Sequence, residues 1–443
     1  MTGDIPMMDN KDELIYLLHD TRLNTVLSWA IVLVLIFLAT VNFFEGRYTW
    51  TILIIFIVII VILPGLFFCK PSVMPYWLLL LLVLIPIVGN TTAYYFFLTR
   101  IPVYISVATL SLLIVAEINW FTSVRMNPKF AIYLVIITTL AVTGMWHFMR
   151  WALDVMIGTT FLLDGRSVDV INTAVMYEFI YALIAGIVAG VLFGWYFKTM
   201  IGKGTSSIIF PDGGMDVSQK YIHSEPPKVI RKRLGLSVQK QKNITRFLQA
   251  CLVILLILGV LSRDLHILLR AFLALIITFV PAFMRQRYNL HLDPSLALWI
   301  TIAVFLDALG TFWLYDNLAR WDNLTHAVSS STIAAAGYVI VRAIDIYDPE
   351  IHMPPGTMFV FIPLFILSTG VIWEILEFIT DELALMLEIG AFLAQHGIHD
   401  TMGDMLFNLI GAIVVAFWGT VYLNSLSYKI AEIFEERFDS NKQ

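Results

Sequence analysis

Apolar residues in this chain run in long unbroken stretches separated by short polar breaks. The first series occupies residues 24–44, 50–69, 76–97, 101–121, 130–149 and 174–197. The second covers 247–262, 265–284, 296–315, 323–343, 357–378 and 402–424. A transmembrane helix needs about 20 mostly apolar residues, so the pattern predicts an all-α, polytopic transmembrane helical bundle of about 12 spans. The split around a long polar loop predicts two six-helix halves. Residues 1–23 form an N-terminal interfacial segment, 24–197 the first half, 198–246 a basic loop, 247–424 the second half and 425–443 a tail. Asp9 and Asn10 are placed to cap a short helix that carries Leu14, Ile15, Leu17 and Leu18. Ile430, Phe434 and Phe438 recur at helical spacing and predict a second interfacial helix.

Composition excludes a soluble reading. The chain is 59% hydrophobic and 14% charged, against about 45–50% and about 25% for soluble domains. Cys69 and Cys251 are its two cysteines and offer no disulfide framework. The first apolar run is too long for a signal-peptide core and has no small-residue cleavage site behind it, so it is expected to remain as a span.

Charge sets an orientation. The loop 198–246 carries Lys203, Lys220, Lys228, Arg231, Lys232, Arg233, Lys240 and Lys242. The positive-inside rule places it in the cytoplasm, and with 12 spans both termini follow. The expected location is the cell membrane. Anionic lipid is the expected partner of the basic loop. Gly202-Lys203-Gly204-Thr205-Ser206 lacks the spacing of a phosphate loop. No nucleic-acid module is present in the pattern, so no nucleic-acid partner is expected.

The two halves share a local match. Thr143-Gly144-Met145-Trp146 aligns with Thr369-Gly370-Val371-Ile372-Trp373, after which His147 faces Glu374 and Asp154 faces Asp381. This predicts an internal parallel repeat, as in some transporters. The acidic set survives mainly in the second half, with the first as scaffold or diverged partner.

Ionisable residues inside spans are costly and mark functional sites. Asp307 lies within the ninth span and Asp316 at its end. Asp322 and His326 share a helix face at i,i+4, and Glu374, Glu377 and Asp381 fall on one stripe. Asp400, Asp404, Asn408 and Gly411 form another. The alternation of spans puts all but Asp307 at the extracytoplasmic ends. Asp322, His326, Glu374, Glu377, Asp404 and Asn408 are therefore the candidate residues of one polar pocket. His326, Asp400 and Asp404 are candidate metal ligands, with His396 and His399 nearby, and a divalent metal is the cofactor such a set would take.

Asp322-Asn-Leu-Thr-His326, then Trp373-Glu374-Ile-Leu-Glu377, then Asp400-Thr-Met-Gly-Asp404-Met-Leu-Phe-Asn408-Leu-Ile-Gly411 resembles the VanZ-like family, and YjdF-type bacterial inner-membrane proteins more closely. The resemblance covers roughly residues 296–424. It implies an envelope context, since VanZ-like proteins are associated with glycopeptide resistance, but it carries no reaction over to these residues. The chain departs from the pattern in its N-terminal half, which lacks the Asp/His pair. The expected function is recognition or processing of an envelope lipid head group at the extracytoplasmic face, with a membrane lipid or lipid-linked substrate as partner. Proton- or cation-coupled transport is the alternative, and the residues leave open whether the protein is an enzyme.

Overall fold

A bilayer offers no water to backbone N–H and C=O groups, so an apolar run that enters it must satisfy them within itself, as a helix does. The computed structural model describes residues 21–67, 69–72, 74–75, 77, 80–81, 83–84, 87–88, 100–201, 237–318, 320–387, 395 and 397–438. The expected N-terminal helix, most of the third span, nearly all of the basic loop and His396 lie outside the described residues. The first half contributes α1 (Thr21–Phe44), α2 (Tyr48–Phe67), α3 (Arg100–Phe121), α4 (Pro128–Ile157) and α5 (Val168–Ile201). The second contributes α6 (Val238–Ser262), α7 (Leu265–Thr278), α8 (Val280–Tyr288), α9 (Pro294–Leu309), α10 (Trp321–Tyr347), α11 (Pro355–Met386), α12 (Ile398–Tyr422) and α13 (Asn424–Phe438).

Among the described residues, ten helices are long and apolar enough to cross a membrane, and α3 adds a shorter apolar stretch, Ser106–Val115. The extended contact seen there is a single bridge, Arg125 to His352. Leu33, Phe37, Ile59, Leu63, Ile257 and Phe417 are each more than half exposed. Large apolar surfaces of this kind are tolerable only in a non-aqueous solvent. The chain is a multi-pass α-helical membrane protein.

Polar residues set the breaks. Ser237 caps α6 by accepting from Lys240 N, and Asp293 caps α9 by accepting from Ser295 N at 2.9 Å, with Pro294 behind it. The tight pair predicted over 247–284 is a true hairpin. Arg263 adopts φ 57 to end α6, and Asp264 at once caps α7 by accepting from His266 N and Ile267 N. α13 forms where helical spacing predicted a terminal helix. It docks on α10 through Tyr338 Oη donating to Asn424 Oδ1 at 2.9 Å and an edge contact between Tyr347 and Phe434.

Contacts group the chain into two units. One combines α1, α2, α3, α4 as far as Thr139 and α5 from Tyr181. Its core includes Val32, Leu35, Ile54, Ile57, Val61 and Leu113. The other combines Ser123–Asn127, Leu140–Ile180 and α6 through α13. Residues 140–180 of the first half thus group with the second half.

Within the second unit, polar contacts join loop ends in two sets. Arg125 and His352 exchange backbone hydrogen bonds of 2.9 and 2.8 Å, and Asn127 Nδ2 donates to Asp348 Oδ2 at 2.8 Å. Arg342 and His352 Nδ1 flank Asp345 in that set. At the other ends of the same helices, Asp154 accepts from Thr159 Oγ1 and from the backbone N–H groups of Phe161, Leu162 and Leu163 at 2.5–2.8 Å. One carboxylate thereby latches the α4–α5 loop. Trp151 Nε1 donates to His399 Nδ1 at 3.0 Å, and Asn172 Nδ2 donates to Gln395 Oε1 at 2.9 Å. Loop ends that alternating spans assign to one side are therefore found in contact.

Candidate functional site

The site grows from a close helix crossing. Among the described residues, α10 and α12 pack together most extensively of the helix pairs. A Cβ on Gly411 would fall 2.2 Å from Ser330 Oγ and 2.3 Å from the Ala327 carbonyl oxygen. Only glycine lets the two backbones approach this closely, as small residues do generally between membrane helices. About one, two and three turns toward the start of α12, the same face carries Asn408, Asp404 and Thr401, which are 8%, 4% and 1% exposed. Seven residues return a helix to within about 20° of its starting direction, so Thr401 and Asn408 point alike. The sequence stripe began at Asp400, which is only half-buried. The inward phase instead runs Thr401, Asp404, Asn408.

α10 brings Asp322 and His326 against that face. His326 Nε2 stands 3.6 Å from Asp322 Oδ1 and 3.5 Å from Asp404 Oδ1. One ligand atom from each of the three residues lies within 4.8 Å of the others. The side chains are 35% exposed at Asp322, 18% at His326 and 5% at Asp404, so the group leads from the surface inward. Asp400, a metal candidate in the sequence, is outside this trio, though its charge reaches Glu374, Glu377 and Asp404. His399, the other nearby histidine, is exposed and engaged with Trp151.

α11 closes a third side. Glu374 is 1% exposed, and its Oε2 accepts from Thr401 Oγ1 at 3.0 Å and from Gln395 Nε2 at 3.1 Å. Its Oε1 has no hydrogen-bond partner among the described residues. Thr401 Oγ1 and Gln395 are joined in turn to Asn172 of α5, at 3.1 and 2.9 Å. Glu377 lies one turn beyond Trp373 on the same helix and within electrostatic reach of Asp322, Asp400 and Arg270. Asn408 faces α11, where a Cβ on Gly370 would be 3.4 Å from its Nδ2. Asp381 accepts from the Gln395 backbone N–H at 2.9 Å and serves the approach to α12. The six candidate residues thus lie on three helices at one end of the unit, with Asp322, His326 and Asp404 in direct apposition.

Asp307 belongs to a neighbouring network. Its Oδ1 accepts from Arg270 Nη1 at 3.0 Å and from Tyr315 Oη at 2.9 Å. Tyr315 stands directly after a π-helical turn, Gly310–Leu314, that continues from α9. Such turns concentrate at functional sites. Gly310 makes room for that turn: a Cβ there would meet the Tyr315 ring at 2.6 Å and Trp321 Nε1 at 2.9 Å. Tyr315 Oη also touches Thr325 Oγ1 at 3.3 Å, and Thr325 donates to the Asp322 carbonyl at 2.7 Å. The network therefore braces the first turn of α10. The side chain of Asp316 lies outside the described residues.

Sequence reasoning missed Arg270, Thr401, Gln395 and Asn172. A signal existed for Arg270, a cation inside a predicted span with a carboxylate, Asp307, in the next span. Asn172 and Gln395 gave none, since their contact joins residues 223 apart in sequence.

Residues 244–425 match the family model described as "Predicted membrane protein (DUF2238)". Residues 12–74 match "Domain of unknown function (DUF8268)". An uncharacterized protein of Thermotoga maritima is 26% identical over 180 residues, which is 40% of this chain and 89% of that protein. No solved structure matches the chain. The first match spans most of α6 through α12 and every carboxylate and histidine of the site, and it supports a membrane-protein family. Asn172, which the structure adds to the site, lies outside it.

Proposed function

We propose that the second unit recognises or processes the head group of an envelope lipid at the extracytoplasmic end of its spans. One observation carries this reading. Asp322, His326 and Asp404 converge at the ends of membrane-spanning helices, graded from 35% exposed to 5% exposed. A head group enters a membrane protein at this depth, where spans meet the polar interface. Thr401, Gln395 and Asn172 supply neutral donors and acceptors beside the charged trio. The basic loop 198–246 then lies in the cytoplasm against anionic lipid, with both termini on that side. Proton- or cation-coupled transport has less support, because Asp307, its mid-span carboxylate, is committed to Arg270 and Tyr315.

Native mass spectrometry of the full chain released from membranes tests the reading. The wild-type protein is expected to retain a phospholipid, and Asp322→Asn with Asp404→Asn is expected to cut retention at least tenfold. Equal retention by both proteins would remove the site from any role in lipid recognition.

A further inference from the structure

An acidic group alone repels a phosphate-bearing head group, so the geometry of the trio has a further consequence. His326 Nε2 sits 3.5 and 3.6 Å from two carboxylate oxygens, beyond the roughly 2.7–3.2 Å of an N–H···O hydrogen bond. Ligand atoms about 2.1 Å from one tetrahedral cation stand roughly 3.4 Å apart. The spacing around His326 is that of ligands sharing an ion. Asp322 and Asp404 offer oxygens within 4.8 Å of each other and of a His326 ring nitrogen, and like charges gathered this closely favour a cation among them.

A second observation comes from another helix. Glu374 is buried, and its Oε1 has no hydrogen-bond partner among the described residues. Its other oxygen is held by Thr401, three residues before Asp404 on α12, and its charge acts on Asp404. An unmatched buried carboxylate oxygen on the neighbouring helix calls for a proton or a cation close by. A buried charge without compensation is strongly unfavourable. Arg270, the cation that reaches Glu377, is already bonded to Asp307.

We propose that Asp322, His326 and Asp404 bind one divalent cation of the Mn2+ or Zn2+ type, with Glu374 balancing charge behind it, and that this ion bridges the protein to a lipid phosphate. Mixed imidazole and carboxylate ligation suits both metals. Three protein ligands leave coordination positions toward the exposed Asp322 side, where phosphate oxygens can enter. The phosphate step rests on the head-group reading above; the ion site itself does not.

Mn2+ added to the full chain in phosphate-free detergent, followed by electron paramagnetic resonance, tests the ion site. One bound Mn2+ per chain is expected, with affinity at least tenfold weaker in His326→Ala and Asp404→Asn. Asp322→Asn, at the exposed edge of the site, should show the same weakening if the buried variants do not fold. Asp164→Asn, an exposed loop carboxylate, should bind as the wild type does. Absence of Mn2+ binding, or equal binding in all variants, overturns the inference whatever the lipid result. A second titration adds short-chain phosphatidic acid with and without Mn2+. Phosphatidic acid binding that requires Mn2+ supports the bridge. Mn2+ bound at the trio without any effect on phosphatidic acid leaves the ion site standing and contradicts the head-group reading.

Discussion

Gly411→Ala is expected to lower the melting temperature by on the order of 5 °C or more in detergent. The added Cβ would fall 2.2 Å from Ser330 Oγ and 2.3 Å from the Ala327 carbonyl oxygen. A serine hydroxyl can rotate away, but the carbonyl belongs to the α10 backbone and cannot. The helices must then separate, at the roughly 1–3 kcal/mol that overpacking costs, or more. Separation also carries Asp404 away from His326, because both sit on the same crossing. Gly403 of the same helix provides the control: a Cβ there would meet nothing within 4 Å. Gly403→Ala should be neutral or slightly stabilising, since alanine is about 1 kcal/mol the better helix former. Thermal unfolding that failed to distinguish the two alanines would contradict the close packing of α10 on α12.

Arg270→Ala is expected to cost about 2.5–3.5 kcal/mol, the scale for a lone carboxylate within a span. The argument rests on what remains. Asp307 would keep only the Tyr315 hydroxyl, at 2.9 Å, with no cation beside it. Pairs of this kind are asymmetric: removing one partner is far worse than removing both. Arg270→Ala combined with Asp307→Leu should therefore recover most of the stability lost in Arg270→Ala alone. Unfolding in detergent across the four proteins of the cycle measures the coupling directly. Additive losses, with no recovery in the double variant, would show that the two groups do not depend on each other. The single Arg270 variant should also loosen Tyr315, and through Thr325 the first turn of α10 that carries Asp322.

These residues show how much of the molecule could be read in advance. The helices follow from apolar runs, and the α6–α7 hairpin from Asp264, a capping residue at the right place. The acidic residues of α10, α11 and α12 were found because charge inside a span is expensive and therefore conspicuous. The phase of α12 was harder. Asp400, Asp404 and Asn408 at i, i+4 and i+8 and Thr401, Asp404 and Asn408 at i, i+3 and i+7 are both acceptable helical stripes. Only packing against Glu374 decides that Thr401, not Asp400, faces inward. The π-helical turn at Gly310 could not be seen at all, since the run 296–315 is apolar through it. The Asn172–Gln395 bond depends on how distant helices assemble, which no local pattern encodes.

We propose that Asp322, His326 and Asp404 meet a lipid head group at the extracytoplasmic face. A short-chain phospholipid bearing a photoreactive, membrane-impermeant head, added outside intact cells, addresses that contact directly. After irradiation, peptide mapping should place the adducts within residues 321–326 and 397–408, and Asp404→Asn should abolish them. Adducts confined to other segments, or formed only when the probe reaches the cytoplasmic side, would contradict the account.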